Sequence, residues 1–231
     1  MRKDASPAFE VAAIQLSDPA ETNFGFQQRG SRVIAVRENL RNLITFAYRL
    51  HPSQVLNAPA WADTDYFDVD GLPDEPGVPT LQQQRIMYQK LLSDRFQLSF
   101  HRTQKELPVY ILTAGKNGPK LATSARAPDA GTDQSMIRPG YLTETNATMG
   151  DLAGVLQFMV LDRPVLDRTG LAGHFDFTLR WTPDDSPAPG RGDGPPGLPT
   201  AIQEQLGLKL EATKASADVL IIDKVERPSA N

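Results

Sequence analysis

Two side chains near residue 175 have the types and spacing of a catalytic pair. His174 and Asp176 stand two residues apart in the segment 174–181, where polar and apolar side chains alternate. In a β-strand, residues two apart point to the same face. An aspartate in that position can orient a histidine as a general base for a nucleophile. The alternative, which alternation alone favours, is the solvated face of a half-buried strand.

A second histidine, His101, lies in another predicted strand and has polar neighbours. Ser99 is two residues away, but side chains at that spacing run parallel and do not converge, so the two residues do not form a nucleophile–base pair. The chain also lacks the Gly-x-Ser-x-Gly turn that presents the serine of α/β-hydrolases. A catalytic site made of His101, His174 and Asp176 therefore requires that folding unites distant segments.

An acidic run in residues 62–78 contains no Lys or Arg. Calcium prefers carboxylate oxygens, so this run predicts a cation site. The predicted ligands are Asp63, Asp65, Asp68 and Asp70. The spacing does not fit an EF-hand loop, whose fifth position would be Phe67 or Leu72. The alternative is an exposed acidic edge that discourages pairing with other chains.

The composition excludes several classes of protein. The chain has 231 residues, 28 of them acidic and 24 basic, and a net charge of −4, which disfavours nucleic acid as a partner. Without cysteine, thiolate metal sites and disulfides are excluded, and three isolated histidines do not form a common zinc centre. No glycine-rich phosphate loop is present. We therefore expect no required cofactor, with calcium as the alternative, and no membrane insertion, because no run of about 18 apolar residues occurs.

Apolar periodicity predicts an α+β fold. Helices are expected at residues 40–50, after Thr80, after Thr148 and at residues 198–206. Thr80 with Gln83, and Thr148 with Asp151, have the spacing of capping boxes. Strands are predicted at residues 9–15, 33–36, 55–56, 65–69, 96–103, 108–114, 142–146, 164–167, 174–181, 208–213 and 219–225.

The order of these elements repeats along the chain. Leu40 corresponds to Met149, Val55 to Val165 and Phe67 to Phe175, with offsets of 108 to 110 residues. This nearly constant offset predicts two pseudo-repeated β-αββ-αββ halves, each an antiparallel sheet with helices packed on one face. The alternative is that any α+β chain shows similar spacing.

Composition changes along the chain predict its domain boundaries. Residues 1–8 are basic without an apolar run, which suggests the remnant of a removed leader. The first half is expected at 9–115, a linker rich in Gly, Pro and Ser at 116–140, and the second half at 141–231. Within the second half, residues 183–199 are rich in Pro and Gly and predict a mobile loop.

Six segments carry a resemblance to a known family. They are FEVAAIQLSDP (9–19), LRNLITFAYRL (40–50), NAPAWADTDYFDV (57–69), LLSDRFQLSFHRTQKELPVYIL (91–112), RPVLDRTGLAGHFDFTLRWTPD (163–184) and EQLGLKLEATKASADVLIIDKVERPSAN (204–231). Together they resemble the soil-associated protein family, a soil-bacterial domain of unknown function. The resemblance implies an exported protein, periplasmic or extracellular, and brings no catalytic residues. The helix-and-strand order is also similar to the short N-terminal domains of secretins and TonB-dependent receptors, which act as interaction modules in the envelope.

Two hypotheses of different classes follow. The first is an exported interaction or small-ligand-binding protein, whose partner is a small molecule or an envelope protein; the repeated architecture and the missing catalytic motif favour it. The second is a small hydrolase of esters or lactones, for example acyl homoserine lactones, assisted by calcium. It would use His101, His174 and Asp176, with the acidic run holding the ion. The sequence leaves the oligomeric state open.

Overall fold

The computed structural model describes residues 1–2, 4–127, 136–183 and 194–228, and it confirms the predicted α+β class. The chain forms two compact units, one of residues 1–105 with 218–231 and the other of residues 106–217. The expected halves, 9–115 and 141–231, divide the chain differently. The reason is that two long strands pass from one unit into the other, so the C-terminal segment completes the first unit.

The first unit has helices that begin where the sequence places their caps. Its strands are β1 (Phe9–Leu16), β2 (Gly25–Arg29), β3 (Arg32–Asn39), β4 (Val55–Leu56), β5 (Tyr66–Pro73), and parts of β6 (Ser99–Ala114) and β12 (Leu208–Lys224). Its helices are α1 (Leu40–Tyr48), the short α2 (Trp61–Thr64) and α3 (Leu81–Arg95), with a 3₁₀ turn at Pro52–Gln54. The side chains of Asn39 and Thr80 accept the N-terminal backbone N–H groups of α1 and α3.

The second unit contains shorter strands. They are β7 (Ala122–Thr123), β8 (Met136–Arg138), β9 (Tyr141–Ala147), β10 (Val165–Asp167) and β11 (Phe175–Arg180), together with the remaining parts of β6 and β12. Its helices are α4 (Met149–Met159) and α5 (Leu198–Ala201), which continues as a π-helical turn at Ile202–Leu206. That turn ends at Gly207, whose backbone is left-handed, as the sequence predicts.

Both units build their main antiparallel sheet in the same order. The first sheet runs β1-β5-β3-β2 and the second runs β7-β11-β9-β8. Corresponding strands therefore occupy corresponding places, which is the arrangement that the predicted duplication requires; the duplication itself stays a prediction. The sequence predicts antiparallel sheets, but two short strand pairs are parallel. These pairs are β4 with β12 and β10 with β6.

Each unit has its own apolar core. In the first, α1 and α3 bury Leu43, Ile44, Met87 and Leu92 against the sheet. In the second, Leu152 and Leu156 of α4 pack with the apolar face of β9 and β11. Helices thus cover one face of each sheet, as the apolar stripes predict.

Three segments differ from the predicted boundaries. Residues 96–103 and 108–114 belong largely to the single strand β6, and the last two predicted strands merge into β12. The expected linker contains β7 and β8. Most of the predicted loop 183–199 lies outside the described residues. In the part of the chain that the structure describes, no helix has the length and apolar character to cross a membrane.

Candidate functional site

The first predicted catalytic residue, His101, has a carboxylate partner that the sequence did not indicate. Its Nδ1 lies 2.8 Å from Oδ1 of Asp223, and both side chains are about half exposed. Both residues belong to the first unit, His101 on β6 and Asp223 on β12. The arrangement is an oriented histidine–carboxylate pair on an exposed strand surface.

The other two predicted catalytic residues belong to the second unit. Asp176 lies on β11, and its carboxylate accepts the backbone N–H of Asn146 at 2.8 Å. This hydrogen bond and a second one from the side chain of Ser124 hold the pKa of Asp176 below its usual value. Asp176 is therefore engaged in holding its own sheet together, and no hydrogen bond joins it to His174 in the described structure.

The same arrangement recurs in the first unit at Asp68, one of the predicted metal ligands. Its carboxylate accepts the backbone N–H of Arg37 at 2.9 Å and the hydroxyl of Ser17 at 2.6 Å. Arg37 and Asn146 both have a left-handed backbone, with φ of 49° and 60°. Each lies where the strand register shifts, so that two residues of one strand face a single aspartate of the next. Both aspartates thus stabilise a β-bulge.

The other three predicted metal ligands are paired with arginines from distant segments. Asp63 binds Arg41 through both carboxylate oxygens, which lowers the pKa of Asp63. The other two pairs are Asp65 with Arg227 and Asp70 with Arg32. Within the described ranges, no group of three His, Asp or Glu side chains is placed to hold a metal ion. The four aspartates do not form the predicted cluster, and calcium binding stays a prediction.

The third histidine serves a structural purpose. His51 is buried, and its Nδ1 accepts the backbone N–H of Ser53 at 3.2 Å at the start of the 3₁₀ turn. The side chain of Gln54 completes this cap by accepting the backbone N–H of His51. In the sequence, the position of His51 directly before Pro52 is the signal for this capping function.

A concave surface of another kind lies in the second unit. It is an open cleft of about 590 Å³, within the range of small-molecule sites. Its lining residues are Ile137, Arg138, Pro139, Gly140, Met159, Val160, Leu161, Trp181, Pro183 and Leu198. Arg138 is the one charged residue in this set, and no carboxylate belongs to it. An apolar molecule fits such a lining, because its surface is removed from water and no buried polar group is left without a hydrogen-bond partner.

The turn between β8 and β9 forms one wall of the cleft. Gly140 has φ of 76°, and a Cβ at this position would lie 2.6 Å from the carbonyl oxygen of Trp181. The missing side chain lets the turn close against the end of β11, where the backbone N–H of Trp181 donates to the carbonyl of Gly140 at 3.0 Å. The turn therefore holds the backbone of Trp181, a residue that is 5% exposed and lines the cleft.

The C-terminal end of α4 forms another part of the lining. Helical spacing puts Met159 on the same side of α4 as Met149 and Leu152, which are buried, but Met159 is 64% exposed. The helix ends at this point, and the backbone N–H groups of Val160 and Leu161 both bond to the carbonyl of Leu156. The chain therefore turns away from the core, and Met159 contributes to the cleft instead.

Sequence reasoning missed this cleft as a site. Trp181, an aromatic residue at the end of a strand, is buried in the core and also lines the cleft. The available signal was an apolar residue at the end of a helix, Met159, followed by two further apolar residues. Such residues carry no chemical signature, because their function depends on a concave surface that forms only in the folded chain.

Comparisons with known proteins identify a family and nothing narrower. Searches of the curated proteins and of the solved structures found no match. A family model described as "Protein of unknown function (DUF3738)" matches residues 41–225. The resemblances to the soil-associated family and to secretin and TonB domains stay predictions. Because the matched region covers most of both units, the chain belongs to the DUF3738 family.

Proposed function

We propose that this protein is an exported binding protein that holds the apolar part of a small molecule in the cleft of its second unit and performs no reaction on it. The observation that carries the proposal is the lining of the cleft, with nine apolar or glycine residues and one arginine around about 590 Å³. The exported location rests on the sequence resemblance. An envelope protein as a second partner rests on the weaker similarity to secretin and TonB domains.

One observation favours the alternative, a hydrolase of esters or lactones. The Nδ1 of His101 is bound to Asp223, which is how a carboxylate orients a histidine base. His174 and Asp176 belong to the other unit, and the carboxylate of Asp176 is bound to the backbone of Asn146. The alternative therefore rests on His101 and Asp223. The cleft supports binding more directly, because it offers a volume for a ligand.

The proposal is tested with an uncharged dye, N-phenyl-1-naphthylamine, whose fluorescence rises in an apolar site. We expect the native protein to bind it saturably and the Met159→Glu variant to bind at least tenfold more weakly, because a carboxylate in the cleft must be desolvated. The matched control is Val11→Glu in the first unit. Val11 is 65% exposed and Met159 is 64% exposed, so neither change places a carboxylate in the core.

Equal loss of dye binding in both variants, or no saturable binding by the native protein, contradicts the proposal. The same preparations are assayed with a p-nitrophenyl ester and an acyl homoserine lactone. Steady turnover that disappears in His101→Gln would replace the binding proposal with the hydrolase. Turnover that persists in this variant would also reject the assignment of His101.

A further inference from the structure

An arginine–tyrosine–arginine row lies on three neighbouring strands and meets the cleft at Arg138. Arg138 of β8 and Arg180 of β11 are both paired in register with Tyr141 of β9. Their guanidinium carbons lie 4.6 and 5.5 Å from the centroid of the Tyr141 ring, within the roughly 6 Å of a cation–π contact. The two cations therefore reach one aromatic ring from the strands on either side, and Arg138 also lines the cleft.

These two cations differ from other arginines of the protein in their surroundings. In the first unit, Arg41, Arg32 and Arg227 each bind an aspartate at 2.5 to 2.9 Å. Neither Arg138 nor Arg180 has a carboxylate within ion-pair distance among the residues described. Two exposed guanidinium groups on one ring thus form a positive surface that meets the cleft at Arg138, and no acidic residue is among the described residues that line the cleft.

The row is held in place by the backbone and by the ring. The side-chain amide of Gln205 accepts the backbone N–H of Arg180 at 3.0 Å and donates to its carbonyl at 2.7 Å. Stacking on Tyr141 limits the rotamers of both arginine side chains, so less entropy is lost when they bind an anion. A guanidinium group presents its N–H donors in a plane that matches a carboxylate, as the bidentate pair of Arg41 and Asp63 shows.

We propose that the ligand of the cleft is an amphiphile with one carboxylate, whose apolar body occupies the cleft while Arg138 and Arg180 bind its head group. This inference rests on the proposed function and adds the chemical class of the ligand. Charge complementarity supports it, since within the described part of the chain the two cations have no acidic partner and the lining supplies no negative charge. Tyr141 is a positioning residue, because it acts on the ligand through the two arginines.

The test compares octanoate with 1-octanol, which have the same chain length and differ in the charge of the head group. Binding is followed through the emission of Trp181 in a Trp61→Phe background, since the protein has two tryptophans. We expect octanoate to bind about tenfold or more tightly than octanol at low salt, as charge-assisted hydrogen bonds allow. The double variant Arg138→Gln, Arg180→Gln should lose this preference and keep its affinity for octanol.

The matched control is Arg163→Gln in the same unit. Arg163 also stacks on a tyrosine, Tyr110, at 5.2 Å, but it is paired with Asp162 and does not line the cleft. The Arg163→Gln variant should keep the native preference for octanoate. Equal affinity of the native protein for both probes, or a preference that survives in the double variant, overturns this inference while octanol binding upholds the proposed function. Failure of both probes to bind overturns the two together.

Discussion

At the scale of single residues, the aspartates chosen from the sequence are chiefly structural. Asp176, predicted to be catalytic, and Asp68, predicted to bind metal, hold equivalent β-bulges in the two units. A carboxylate accepts backbone N–H groups as readily as it binds a cation or a histidine. An aspartate in the sequence therefore indicates a strong hydrogen-bond acceptor, but only the fold determines which group donates to it.

We expect Asp68→Ala to destabilise the first unit by about 1–3 kcal/mol, because the N–H of Arg37 and the hydroxyl of Ser17 lose their acceptor. Urea unfolding at neutral pH measures this change. Asp68→Asn retains one carbonyl oxygen and should recover part of the loss. An Asp68→Ala protein as stable as the native one would show that the bulge does not need the carboxylate.

The same contact at Asp176 predicts a dependence of stability on pH. Because its folded-state pKa lies below the usual 3.8, the stabilisation is fully present above the unfolded-state pKa and is lost as the pH falls through the folded-state pKa. Asp176→Ala should therefore lower the urea midpoint at pH 7 and flatten its decrease below about pH 4. The control is the exposed Asp94 of α3, changed to Ala. Parallel pH profiles for the native protein and Asp176→Ala would contradict this account.

At the scale of elements, helix starts are the best-predicted features of the chain. The capping boxes at Thr80 and Thr148 form as their spacing predicts, with the hydroxyl of Thr148 accepting the N–H of Asp151 at 3.1 Å. Such caps depend on residues within one turn and need no distant partner. The long strands β6 and β12 are harder to predict from the sequence, since their middle residues are exposed on both faces and show no apolar alternation.

Thr148 caps the N-terminal end of α4, and Met159 at the C-terminal end of the same helix lines the cleft. We expect Thr148→Ala to destabilise the protein by about 1 kcal/mol, since the first turn of α4 loses a partner for its N–H groups. Thr148→Ser keeps the hydroxyl and should restore most of the stability. Urea midpoints of the three proteins give the comparison, and equal midpoints for the Ala and Ser variants would rule out the capping explanation.

At the scale of the whole molecule, the chain returns to its first unit at the end. Leu220 and Ile222 of β12 are buried in the core of the first unit, and the side chain of Gln54 donates to the carbonyl of Asp218 at 2.7 Å. A domain boundary in the linker of the sequence would place these residues in the second unit. The first unit therefore depends on residues more than a hundred positions distant from its helices.

We predict that a chain ending at residue 217 has an unfolded first unit, because its core loses Leu220 and Ile222. In a Trp181→Phe background, the emission of Trp61 reports on this unit and should shift to longer wavelength. A chain ending at residue 228 keeps all the described contacts and serves as the control. Native emission from the shorter chain would show that the first unit folds without its C-terminal strand.

The sequence by itself determined the α+β class, the helix starts and the absence of cysteine chemistry. These depend on periodicity and on contacts within a few residues, which one chain displays directly. The tertiary structure alone decided that Asp223 pairs with His101, that Arg41, Arg227 and Arg32 pair with Asp63, Asp65 and Asp70, and that an apolar cleft opens beside Arg138. These features join side chains from distant segments, and the free energy of burial, not their order in the chain, selects which of them meet.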